Sequence, residues 1–115
     1  MAISSQPNQF DVQRLIQLFS TGQYVEAESN AKKLISKHPE AFVLHHVLAL
    51  ALDAQQKYAE SVTSYKNAIQ LQPNMADLHF NLGIALGHLD RIDEAETSYR
   101  NAITLNHNFF EAHGN

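Results

Sequence analysis

Apolar residues recur every three to four positions in blocks that come in pairs, each pair divided by a short polar break. In the last pair, Leu78, Leu82, Ala85, Leu86 and Leu89 precede a break near Asp90 and Arg91, and Ile92, Ala95, Tyr99, Ala102, Ile103 and Leu105 follow it. The pair before it runs Leu44, Leu48, Ala51 and Leu52, then Tyr58, Val62, Tyr65, Ala68, Ile69 and Leu71. This is the 3.6 period of helices with one apolar face. Pro39 and Pro73 fall just beyond the second block of their pairs, where a residue that cannot continue a helix ends one. The spacing predicts helices over residues 9–21, 24–37, 42–55, 58–71, 76–89 and 92–105.

The paired blocks are copies of one another. His45, His79 and His113 stand 34 residues apart, and setting residues 42–75 against 76–109 gives fourteen identical positions in 34. A fixed period in this range marks a stack of repeated units, none of which buries its apolar face alone. The expected division is an N-terminal segment over 1–7, a first unit over 8–41, a second over 42–75, a third over 76–109, and the opening of a fourth over 110–115. The last six residues hold the register of a helix that stops partway. A piece of a longer protein with further repeats is therefore expected, against the plainer alternative of a natural end that frays.

Composition narrows the function classes. The 115 residues include no cysteine, so neither a disulfide framework nor a thiolate metal site is available. No apolar run approaches the length of a membrane span, and Met1 to Gln9 lacks the pattern of a secretory leader; a soluble cytoplasmic protein is expected. The net charge of −4 falls entirely in residues 76–115, where Asp77, Asp90, Asp93, Glu94, Glu96 and Glu111 oppose Arg91 and Arg100. Nothing resembles the basic stripe that phosphate contacts require, which argues against nucleic acid or an anionic membrane as partner. Asp93 and Glu94 open a predicted helix, where the dipole favours them.

Seven histidines raise the question of a metal. Three of them occupy one position on successive units, about 10 Å apart at ordinary helix spacings, whereas zinc ligands converge to about 2.0–2.1 Å from one ion. His45 and His46 face different directions, and His38, His88 and His107 lie near helix ends with no partner four residues away. No metal or cofactor is expected. Phosphate loops, nucleophile elbows and calcium loops are likewise missing, so the chain is expected not to be an enzyme.

The third unit reads His79, Leu82, Gly83, Leu86, Ile92, Ala95, Tyr99 and Ala102 at the positions where the second reads His45, Leu48, Ala49, Leu52, Tyr58, Ser61, Tyr65 and Ala68. With Pro73 after the second unit, and Gly22, Tyr24, Ala27 and Pro39 in the first, this pattern resembles the tetratricopeptide repeat family over nearly the whole chain. The first unit departs at Asp11, Arg14 and Leu15, as suits an end unit with one face in water. The resemblance implies an all-α fold, a right-handed superhelical α-solenoid of antiparallel helix pairs with about three repeats and the start of a fourth. Small residues such as Ala95 and Ala102 would let helix axes approach where they cross.

By analogy with that family, the first helix of each pair lines a concave groove. The residues implied are Val43, His46, Val47, Leu50, Asp53 and Ala54 in the second unit, and Asp77, Phe80, Asn81, Ile84, Gly87 and His88 in the third; Glu111, Gly114 and Asn115 begin the fourth. Val47, Leu50, Phe80 and Ile84 would form an apolar strip flanked by His46, Asn81 and His88, suited to a peptide or partner protein; part of the strip packing on adjacent helices is the plainer alternative. Asn81 and Asn115 share one position, from which an amide both donates to and accepts from a peptide backbone. The run Leu78-His79-Phe80-Asn81-Leu82-Gly83 looks like that in the repeats of O-linked N-acetylglucosamine transferases and of similar bacterial multidomain proteins. Val12 and Ile16 stand where repeats that capture chaperone C-termini carry Lys and Asn, which disfavours a receptor for such tails.

Three functions are thus expected in order. The first is a non-catalytic interaction module that binds a peptide or partner protein in its groove. The second is the N-terminal substrate-selecting arm of a larger glycosyltransferase or sulfotransferase. The third is a self-association element, a homo-oligomer formed through the open C-terminal end with Phe109 and Phe110.

Overall fold

The computed structural model describes residues 6–106, which form six helices and, among the described residues, no strand: α1 Gln9–Ser20, α2 Tyr24–Lys37, α3 Phe42–Ala54, α4 Tyr58–Leu71, α5 Ala76–His88 and α6 Ile92–Leu105. The helices expected from spacing are all present. Each packs on the next along the chain, and α1 also touches α3, giving an all-α solenoid of three helix pairs. None of the described helices is long and apolar enough to cross a membrane.

The turn inside each pair has one geometry. The residue that follows the helix end enters the left-handed region, with φ of 80° at Gly22, 61° at Gln56 and 60° at Asp90. The next amide reaches back five residues, from Gln23 to Leu18, Lys57 to Leu52 and Arg91 to Leu86. These bonds satisfy helix-end carbonyls that otherwise lack a partner. Only the first turn spends a glycine there.

The core falls into two clusters that meet at α3. Leu15, Ala27, Ala31, Leu34, Leu44, Leu48 and Leu52 belong to the first; Ala49, Val62, Tyr65, Ala68, Leu78, Leu82, Leu86 and Ala95 belong to the second. Ala27, Ala31, Ala51, Ala68, Ala85 and Ala102 are all fully buried. Their methyl-sized side chains set the close approach of the helices, and larger ones would push the pairs apart.

Two polar devices tie the units together. His45 Nε2 lies 2.8 Å from the Pro39 carbonyl oxygen and His79 Nε2 lies 2.9 Å from that of Pro73. A carbonyl only accepts, so each ring donates from Nε2 and pins the loop before its own helix. The repeated histidine is thus a framework residue; His113, its third copy, and His107 lie outside the described residues. Among the described residues, no three histidine or carboxylate side chains gather as metal ligands would.

The second device is Glu28 on α2, whose side chain is 11% exposed. Its carboxylate accepts from Lys32 Nζ at 2.7 Å, Gln55 Nε2 at 2.9 Å and Lys57 Nζ at 3.1 Å, joining the first pair to the turn of the second. Hydrogen bonding by Lys32, then by Gln55 and Lys57, outweighs burial and holds this carboxyl down at about 2.

Candidate functional site

Positions three, four and seven residues apart share a helix face, and the residues expected to line the groove follow that rule on α3 and α5. On α5, Asp77, Asn81, Ile84 and His88 form one stripe, with Phe80 beside it. On α3, Val43, His46, Val47, Leu50 and Asp53 form the other. The structure places these side chains in different settings.

Val47 is only 7% exposed and belongs to the first core cluster, and Val43 and Leu50 are half-buried against the cores. His46 is half-buried with its ring stacked on Phe42 at 6.4 Å. Burial pushes the His46 imidazole below its ordinary value while the Asp77 charge opposes that shift, so the ring is neutral at pH 7. Phe80 is half-buried with its ring 5.7 Å from Tyr99, and Asn81 and Asp77 are half-buried. Ile84 is 38% exposed. His88 is exposed and stacks flat on Tyr58 at 4.1 Å, so the end of α5 leans on the start of α4. Asn115 lies outside the described residues.

Two features of this face escape a residue-by-residue reading of the sequence. Ile16 on α1 is 42% exposed and stands 34 residues before Leu50 and 68 before Ile84. The first helix of every unit therefore presents an aliphatic residue at the same place, and two of the three are open to water. The 34-residue register is the signal that aligns them.

The second feature is a carboxylate on the floor. Tyr65, fully buried on α4, donates its hydroxyl to Asp53 Oδ2 on α3 at 2.5 Å. Burial, then that bond and the charges of Asp53 and Asp77, push the phenol far above its ordinary range, so it stays protonated and a donor. The other oxygen, Asp53 Oδ1, is buried without a hydrogen-bond partner. Asp53 and Asp77 thus bring two negative charges to bear on one buried phenol. Neither makes an ion pair among the described residues, and α3 and α5 contain no Lys or Arg. The one such cation on α1, Arg14, points away to line a depression with Glu26, Ser29, Asn30 and Lys33 of α2.

Enclosed cavities are not a property of this face. Depressions of about 220 to 310 Å³ lie elsewhere, one lined by Pro73, His79, Asn101, Thr104 and Leu105 and another by Lys66, Leu82, Leu86, Glu94, Thr97 and Ser98. An open strip of aliphatic side chains fits an extended or helical chain better than a small molecule, which needs a concave pocket to bury most of its surface.

Comparison with known proteins agrees with this architecture. A family model described as TPR repeat matches residues 49–90, and one described as tetratricopeptide repeat matches residues 76–109. No curated protein matches the sequence significantly. Among solved structures, the first TPR of Spaghetti (RPAP3) bound to the HSP90 peptide SRMEEVD superposes with a TM-score of 0.88 at 25% identity, covering 97% of this chain and 89% of that one. The first TPR domain of human RPAP3 gives 0.81 at 25% identity, covering 90% and 82%. At 17% identity the Yersinia enterocolitica type III secretion translocator chaperone SycD gives 0.83, covering 92% and 82%, a likeness of fold alone. MamA AMB-1 gives 0.81 at 22% identity, and the chain spans 54% of its length. Residues 49–109 are thus tetratricopeptide repeats, and the six described helices are an α-solenoid of that family.

Proposed function

We infer that the chain is a non-catalytic protein-interaction module that holds a peptide or partner protein on the face formed by α1, α3 and α5. The observation that carries this reading is the aliphatic row Ile16, Leu50 and Ile84, repeated at one position of each unit, with Ile16 42% and Ile84 38% exposed. Uncovered aliphatic side chains in register are costly to leave in water and recover about 25 cal/mol per Å² when a partner covers them. The likeness to a repeat domain that holds a peptide supports the same class of function. Asn81, on the same face, supplies an amide that donates to and accepts from a bound backbone.

The test is binding by the parent and by Ile84→Glu. Ile84 is the better probe than Phe80, because the Phe80 ring also packs on Tyr99. Proteins retained from a lysate by the parent and lost by Ile84→Glu, with unchanged circular dichroism, are the expected result. Equal retention by both would move function off this face. For a partner so identified, Asn81→Ala weakens binding by about 1–3 kcal/mol, the cost of leaving backbone groups unpaired; unchanged affinity would remove the amide from the site.

The reading as a substrate-selecting arm of a larger glycosyltransferase or sulfotransferase draws on the Leu78–Gly83 run alone, and a catalytic domain downstream in the same reading frame is what would support it. Self-association draws on Tyr99, which is half-buried where its counterpart Tyr65 is fully buried. Concentration-dependent sedimentation would support that reading, and a strict monomer would remove it.

A further inference from the structure

We propose that the α3–α5 face selects a segment carrying a Lys or Arg beside its apolar anchors, with the cation seated between Asp53 and Asp77, and that it rejects acidic tails. The proposal rests on the groove reading above and adds the chemistry of the occupant.

Charge complementarity carries it. Helices α3 and α5 supply thirteen residues each without one Lys or Arg, while both contribute an aspartate to this face. Asp53 satisfies one oxygen with the Tyr65 hydroxyl at 2.5 Å and has no partner for the other. Its charge is therefore steadied by a neutral donor and not neutralised. Asp77 sits in the first turn of α5, near enough to act on both His46 and Tyr65. His46 is the only group of the cluster able to turn positive, and its burial among Phe42 and α3 keeps it neutral. The low-dielectric aliphatic surroundings of Leu50 and Ile84 strengthen the field of both carboxylates.

A ligand like the SRMEEVD peptide of the similar Spaghetti structure would bring further carboxylates onto Asp53 and Asp77 with no cation to meet them. Such like-charge contact disfavours the wrong partner more strongly than a rim ion pair favours the right one. A segment of the opposite sign meets two unneutralised acceptors. Its aliphatic neighbours would cover Leu50 and Ile84, one helical turn or two extended residues from the cation.

The experiment is selection of a random dodecapeptide library on the folded chain, on Asp77→Asn and on Asp77→Lys, with fluorescence anisotropy of the best selected peptide and of SRMEEVD. Lys and Arg enriched over Asp and Glu on the parent, a preference lost on Asp77→Asn and inverted on Asp77→Lys, is the expected result. The best peptide should weaken about 3- to 10-fold on Asp77→Asn, as for one partly desolvated ion pair, and weaken further as salt rises. SRMEEVD should bind the parent more weakly than that peptide. Selected peptides without charge preference, or a preference unchanged by Asp77→Lys, would overturn the proposal. Ile84→Glu separates the two layers of argument: if it abolishes binding of an uncharged selected peptide, the groove stands and only the cation is lost; if it has no effect, the groove reading fails with it. An empty selection against a blank support overturns both.

Discussion

Replacing Glu28 with Gln tests whether the first two units are fastened by a charge. The carboxyl ionises at about 2 in the folded chain, against an ordinary 4.5, because Lys32, Gln55 and Lys57 hydrogen-bond its ionised form. The folded value is depressed, so the stabilisation is complete above pH 4.5 and is lost as pH falls from there towards 2. Taken at face value the difference is about 3 kcal/mol. Lys32 and Lys57 are 52% and 42% exposed, and water and salt screen pairs of that kind, so about 1–2 kcal/mol is expected. Urea denaturation followed by circular dichroism, on the parent and Glu28→Gln from pH 7 to pH 3, measures it. At pH 7 the variant should be less stable by about that amount, and most of the gap should close by pH 3. Other carboxylates titrate in the same window, which is why the difference between the two proteins is the readable quantity. Equal stability at pH 7, or two profiles that fall in parallel, would show that Glu28 does not fasten the units.

Two further perturbations address the backbone and the crossings. Gln56 and Asp90 hold φ near 61° and 60°, a region that costs a side-chain-bearing residue about 1 kcal/mol relative to glycine; Gln56→Gly and Asp90→Gly should each raise the denaturation midpoint, and an unchanged or lower midpoint would refute the strain. Ala95 and Ala102 are 4% and 0% exposed, so Leu at either should cost about 1–3 kcal/mol by overpacking, a result that fails if these variants melt like the parent.

What could be read from the sequence and what could not divide along the repeat itself. Helix positions, the small residues at crossings and the role of His45 and His79 all recur at 34 residues, so two copies of each signal reinforce one another. The interactions that distinguish one unit from the next do not recur. Asp53 occupies a place that is Phe19 in the first unit and Gly87 in the third, and only folding brings it to Tyr65 on the neighbouring helix. Glu28 meets Gln55 and Lys57 across 27 and 29 residues of sequence, a pairing that no local pattern announces. Equivalent positions also differ in environment: Val47 is 7% exposed inside the first core, while Asn81, its counterpart, is half-buried. The valine faces Leu15 and Leu44 of the stack, and a polar amide could not take that place without losing hydrogen bonds to water. The repeat pattern therefore specifies the scaffold twice over and the groove scarcely at all. The residues that break the pattern, Asp53, Asp77 and Asn81, are the ones that give this copy of a common fold its own surface chemistry.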